Sequence, residues 1–203
     1  MITILDYGMG NVKSILNIIY KVGGEAIISS DIDKIMDAEK IILPGIGSFD
    51  VGIKNLTEQG LIPVLNKKVL EEKTPFLGIC LGMQLITQRS EEGKLNGLGW
   101  INAETVKFKS LKDNLKVPHM GWNYVVVKKN SKLFKDMYDN PRFYFVHSYY
   151  VRCKDESNIL ATTEYGFDFV SAVEKDNIYA TQFHPEKSHK FGMKLMENFV
   201  KNV

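Results

Sequence analysis

Short apolar runs alternate with helix-periodic stretches through the first half of this chain, and that alternation restricts it to folds in which helices cover a parallel sheet. Thr3 to Leu5 read as a strand that begins almost at Met1, and Asp6-Tyr7-Gly8-Met9-Gly10-Asn11 reads as the turn after it. A helical pattern carrying Ile15, Ile18, Ile19 and Val22 on one face closes at Gly23-Gly24. Strands are expected at 26–29 and at 40–43, the second stopped by Pro44-Gly45. Helices are expected near 49–57 and 62–71, and a fourth apolar strand at 76–79 ahead of Cys80.

The second half changes character. Stretches at 104–108, 122–127, 142–146, 149–153, 160–163, 169–173 and 178–181 read as short strands between polar turns, which suits an antiparallel extension of the sheet. A closing helix repeats Phe191, Leu195 and Phe199 at four-residue intervals, with Ser188 as its expected N-cap. No repeat, low-complexity tract or linker interrupts the 203 residues. The expected architecture is therefore one α/β domain over 1–203. Its central sheet is mixed and mostly parallel, flanked by helices, with an antiparallel extension in the C-terminal half.

Composition removes several functional classes. A net charge of +2 gives no general electrostatic case for nucleic acid or an anionic membrane. No apolar run reaches the ~18 residues of a membrane span, and the N-terminus reads as a strand rather than a signal peptide. Two cysteines, Cys80 and Cys153, lack CxxC spacing, which argues against a disulfide framework or thiolate zinc site and for a reducing cytoplasm. No cofactor and no metal are expected.

Gly78-Ile79-Cys80-Leu81-Gly82-Met83-Gln84 is the most informative segment. A nucleophile on a sharp strand-to-helix turn needs small residues two before and two after it, because a Cβ there would strike the neighbouring strand or helix. With a helix continuing over 83–88, Cys80 would sit at a helix N-terminus that favours a thiolate, and the Leu81 N–H would point at a developing oxyanion. The alternative is a buried small hydrophobe with packing glycines. A thiol nucleophile needs a base and a group to orient it. Pro185 pushes His184 toward an extended conformation, in which Glu186 would share its side and hold one imidazole tautomer. A solvated strand-end histidine is the alternative there. Pro44-Gly45-Ile46-Gly47-Ser48 would either supply a second oxyanion donor or form a plain turn.

Together, Gly-Ile-Cys-Leu-Gly-Met-Gln, Phe183-His184-Pro185-Glu186-Lys187-Ser188 and Pro44-Gly45-Ile46-Gly47 resemble the class I (triad) glutamine amidotransferases, a flavodoxin-like α/β family. The motifs Asp6–Asn11, Gly97-Leu98-Gly99, Pro118-His119-Met120-Gly121-Trp122-Asn123 and Tyr144-Phe145-Val146-His147-Ser148-Tyr149 extend the likeness to the glutaminase subunits of imidazole glycerol phosphate synthase, the HisH family. The resemblance implies hydrolysis of L-glutamine to glutamate and ammonia through a glutamyl thioester on Cys80, with His184 as acid and base and Glu186 orienting it. It places glutamine against Gly47, Leu81, Gln84, Ser148 and Tyr149, and an oxyanion donor at the N–H of Ile46 that requires a peptide flip. It further implies a heterodimer with a cyclase of TIM-barrel fold, touched by Trp122, Asn123 and Lys187, that uses the ammonia in histidine biosynthesis. A chain of this length leaves no second domain to consume ammonia, which fits that partnership.

Other features are read as structural. Lys13 stands where a dinucleotide fingerprint needs its third glycine, so Gly8 and Gly10 are read as close-approach residues. His147 is expected to be a core or strand-end histidine, Cys153 a structural thiol, and Lys107, Lys109, Lys112 and Lys116 a solvated face. The stretches 99–104 and 187–193 resemble HisH-like proteins of surface-sugar synthesis, where the ammonia would serve a nucleotide-linked N-acetyl sugar. A free-standing cysteine amidase and a non-catalytic binding subunit are the competing classes.

Overall fold

A computed structural model describes residues 1–109 and 115–203. Lys112 lies outside the described residues. In chain order, β1 (Ile2–Leu5), α1 (Val12–Lys21), β2 (Ala26–Ser29), α2 (Ile32–Met36) and β3 (Lys40–Gly45) are followed by α3 (Phe49–Glu58), α4 (Leu61–Asn66), β4 (Phe76–Cys80) and α5 (Leu81–Leu85). Then come β5 (Ala103–Lys107), β6 (His119–Tyr124), β7 (Val126–Val127), β8 (Arg142–His147), β9 (Tyr149–Cys153), β10 (Ile159–Glu164), β11 (Asp168–Lys175), β12 (Ile178–Thr181) and α6 (His189–Lys201).

Strands β2, β1, β3, β4 and β12 lie side by side and parallel. From β12 the sheet continues antiparallel through β11 and β10 to β7, while β9 and β5 branch from β11. The expected parallel half and antiparallel extension are both present. The first strands are mostly apolar, as expected where helices cover both of their faces. Ile42 and Ile79 pack with Ile15 and Ile19 of α1 and with Leu195 and Phe199 of α6. On the other face Ile41, Leu43 and Phe76 pack with Phe49, Leu56, Leu61 and Leu65 of α3 and α4. Among the described residues no helix is long and apolar enough to cross a membrane.

Several boundaries differ from expectation, each for a local reason. Pro44-Gly45 does not stop β3: Pro44 pairs with Ile79 and Gly45 with Cys80. The β1 pairing ends at Ile42, so by Pro44 one side of β3 is an edge where a missing N–H is tolerated. The helix expected over 62–71 widens after Asn66 into a π-turn, Lys67–Glu71. The single strand expected over 122–127 divides at buried Val125. Before it β6 pairs β8 in a separate two-stranded sheet, and after it β7 pairs β10. Helix α2 is too short for a periodic signal, although Asp31 caps it by accepting from the N–H groups of Asp33 and Lys34. Ser188 precedes α6 as expected but does not cap it with its side chain. Its hydroxyl donates to the His184 carbonyl at 2.6 Å and accepts from the Tyr144 N–H at 3.0 Å, clamping the loop between β12 and β8.

Glu104 of β5 fastens the antiparallel extension to the loop after α5. Its carboxylate accepts from Arg152 of β9 at 2.7 Å and from Arg89 at 2.7 and 2.9 Å. These hydrogen bonds, Arg152 first, hold its carboxyl down at about 2. A depressed carboxylate contributes stability that is present above its unfolded value and lost as pH falls toward the folded one. Both guanidiniums stand largely in water, so Glu104→Gln is expected to cost about 1 kcal/mol at pH 7. In urea titrations that difference should shrink steadily below pH 4.5 toward about 2.

Candidate active site

The carboxyl ends of the parallel strands meet at a sharp turn. β4 passes into α5 at Cys80, whose φ of 54° and ψ of −105° lie where a non-glycine residue is strained. The flanking glycines allow the turn: a Cβ on Gly78 would come within 2.8 Å of the Gly82 carbonyl oxygen, and a Cβ on Gly82 would overlap the carbonyl oxygen of Leu43 in β3. The following helix spans Leu81–Leu85, shorter than the expected 83–88, so its macrodipole is slight. The Leu81 N–H, in the first turn, lacks an intrahelical acceptor.

β12 lies directly beside β4, and its chain continues through Gln182 and Phe183 to His184. The His184 N–H donates to the Tyr144 carbonyl at 2.9 Å, anchoring this segment on β8. His184 is extended as expected, but Pro185–Lys187 form one 3₁₀ turn, and that turn brings Glu186 back to the imidazole. Glu186 Oε1 lies 2.8 Å from His184 Nδ1, with both side chains buried. Burial alone would lower the imidazolium pKa; hydrogen bonds and charge from Cys80 and Glu186 outweigh it and raise it to about 10. Nε2 is buried without a well-aligned partner among the described residues and faces the Cys80 side.

A cavity of about 400 Å³ opens over this pair, within the ~300–1,000 Å³ usual for small-molecule sites. It brings together Cys80, His184, Ile46, Gly47, Leu81, Gln84, Ser148 and Tyr149, with Glu186 behind His184. Gly47 has a φ of 112°, and Tyr7 donates its buried hydroxyl to the Pro44 carbonyl at 2.7 Å, holding the base of this loop. Trp122, Asn123 and Lys187 lie outside the cavity. Trp122 is 43% exposed and stacks on His189, Lys187 approaches the Tyr144 ring at 5.8 Å, and Asn123 spends its amide on His119 and the Glu164 carbonyl.

Two residues of the site escaped the sequence reading: one lines the cavity, and the other lies buried against Cys80. Glu92 lines the wall and accepts from the Phe49 N–H at 2.8 Å; in a polar loop it carried no periodic signal. Fully buried Gln182 hydrogen-bonds Gln84 and Cys80, and the signal was a lone amide closing an apolar run.

His147 sits buried at the end of β8 as expected, and it also borders the cavity. Both of its ring nitrogens are engaged, Nδ1 with the Tyr149 carbonyl at 2.7 Å and Nε2 with His119 Nδ1 at 3.0 Å. Burial pushes His147 down to about 3 and His119 to about 4, so both are neutral at pH 7 and poor bases. Cys153 is half-buried away from the cavity, and burial raises its thiol to about 11. Lys109 pairs with Glu91 at 2.9 Å on the surface. Among the described residues no group of three or more His, Cys, Asp or Glu side chains is placed to hold a metal ion.

The sequence profile of the class-I glutamine amidotransferases matches residues 3–203. The chain belongs to the class I glutamine amidotransferase family. This amidotransferase is 66% identical over 203 residues, the full length of both chains, to "Imidazole glycerol phosphate synthase subunit HisH 2" of Methanococcus maripaludis. It is 48% identical, again over the full length of both, to the protein of the same name in Pseudomonas aeruginosa. Among solved structures, a crystal structure of a glutamine amidotransferase superposes with a TM-score of 0.70 at 19% identity, covering 96% of this chain and 98% of that one. At that identity the match speaks for the fold alone.

Proposed function

We propose that this amidotransferase is the glutaminase subunit of an imidazole glycerol phosphate synthase, hydrolysing L-glutamine and passing ammonia to a separate cyclase subunit in histidine biosynthesis. The observation that carries the chemistry is the meeting of Cys80 with the His184–Glu186 pair, beyond the carboxyl ends of two adjacent parallel strands, at one cavity. The full-length relatives' names favour this acceptor over a nucleotide-linked sugar. A cytoplasmic setting is part of the same reading.

In this reading the Cys80 thiolate attacks the side-chain amide carbon of glutamine. The N–H of Leu81 and one from the Ile46–Gly47 loop stabilise the oxyanion. The C–N bond then breaks as His184 Nε2 gives its proton to the departing nitrogen, leaving ammonia and a glutamyl thioester. Water loses a proton to His184, attacks the thioester, and the C–S bond breaks to release glutamate and restore the thiolate. Glu92 is the carboxylate in the wall suited to the substrate ammonium group. Gln84 commits its NH₂ to Tyr149 and Gln182, which leaves its Oε1 as the group it can offer glutamine.

Glu186 holds the Nδ1 proton and favours the imidazolium. Glu186→Gln removes that charge, so the His184 pKa falls and its proton is lost at lower pH. The expected result is a kcat about 10²-fold lower, with the alkaline limb of the kcat/KM profile displaced toward neutrality.

The partner surface is proposed at β6, where Met120, Trp122 and Tyr124 alternate outward at 61%, 43% and 57% exposure, next to Lys187 and the turn carrying Glu186. A TIM-barrel cyclase would cover this stripe and receive ammonia without loss to water. Glutaminase turnover measured alone and with the cyclase subunit should rise roughly tenfold or more on complex formation. Full turnover unaffected by the cyclase would instead favour a free-standing amidase.

A further inference from the structure

Amide orientations around the cavity can be deduced in sequence from one backbone carbonyl. The Tyr149 carbonyl oxygen only accepts hydrogen bonds. It receives His147 Nδ1–H at 2.7 Å and, at 3.3 Å, the end of the Gln84 amide that must therefore be Nε2. The second proton of that Nε2 points to the Gln182 amide at 3.0 Å, so the Gln182 atom facing it must be Oε1. Gln182 then has its NH₂ directed at Cys80 Sγ, 3.6 Å away. Gln182 is fully buried and its backbone N–H is tied to the Ser171 carbonyl at 2.9 Å, which leaves its side chain little room to turn. A buried amide whose oxygen is already satisfied faces the sulfur as a donor, never as an acceptor.

We propose that Gln182 is a further catalytic residue, donating an Nε2–H hydrogen bond to the Cys80 sulfur, with Gln84 and the Tyr149 carbonyl fixing its orientation. Such a bond favours the thiolate over the thiol, because an anionic sulfur is much the better acceptor. It acts twice in the cycle. It raises the fraction of Cys80 ready to attack glutamine, and it stabilises the same sulfur as the leaving group when water cleaves the thioester. The base on the other flank, His184, remains free to move protons while Gln182 holds the sulfur in place.

The inference rests on Cys80 being the nucleophile, but its test does not pass through turnover. The rate of Cys80 alkylation by iodoacetamide is followed against pH on the full chain, read on the Cys80 peptide by mass spectrometry. Gln182→Met should raise the midpoint by about one pH unit, and Gln182→Glu, which turns a carboxylate toward the sulfur, should raise it further. Midpoints unchanged in variants that melt like the parent chain would overturn the proposal. In the unsubstituted chain labelled with ¹⁵N-glutamine, the Gln182 side-chain N–H resonance should move with pH at the alkylation midpoint. A resonance flat across that range would overturn it even if the variants fail to fold. Glutaminase turnover surviving in Cys80→Ala would sink the nucleophile reading instead, and the alkylation midpoints would still report on Gln182.

Discussion

Cys80→Ala should abolish glutamine hydrolysis, lowering kcat by more than about 10⁴-fold, while the chain still folds and still binds the proposed cyclase partner. In the proposed mechanism Cys80, which lines the cavity, forms the covalent bond to the substrate carbonyl, and His184 without it has no sulfur to accept the acyl group. The substitution keeps a Cβ at the strained φ of 54°, so the backbone of the elbow is unaffected. It removes one atom from a site open to the cavity, and thermal unfolding should shift by no more than a few degrees. The check is steady-state ammonia release alongside a melting curve and a titration with the partner. Normal turnover in this variant would falsify the assignment.

Gly82→Ala is expected to produce a large loss of stability for a small chemical change. The added methyl overlaps the carbonyl oxygen of Leu43, a backbone atom of β3 at the position paired with Gly78 of β4. A flexible side chain could swing aside; a paired strand cannot. Either β3 is displaced or the Cys80 turn opens, and the expected cost is about 3–5 kcal/mol with loss of activity in whatever remains folded. Gly60→Ala is the control: its Cβ meets nothing within 4 Å, although φ is 67°. It should cost only about 1 kcal/mol from the left-handed backbone. Urea unfolding of the two variants separates them directly. Equal midpoints would show that the elbow does not need its glycine.

Much of the site was legible because its chemistry is written in contiguous residues. The small residues around Cys80 and the His184-Pro185-Glu186 run are local requirements, and local requirements leave local patterns. Even so, the pattern misjudged how Glu186 reaches His184: a 3₁₀ turn bends it back where an extended strand was expected. Trp122 illustrates the opposite case. A tryptophan is ordinarily buried, and only the pairing of β6 with β8, outside the main sheet, leaves it 43% exposed.

What the sequence determined by itself was the βαβ order of the first half, the elbow at Cys80 and the pairing of types needed for amide cleavage, since hydrophobic period and turn sterics act between near neighbours. The tertiary fold alone settled which distant groups surround Cys80 and its cavity. Glu92 enters it through a polar loop held against the Phe49 N–H, and Gln182 reaches Cys80 because β12 lies beside β4 although 102 residues separate the two side chains. Contacts across parallel strands depend on sheet order and register, and a buried amide's direction depends on the chain of partners ending at the Tyr149 carbonyl; neither quantity is encoded in any local stretch of residues.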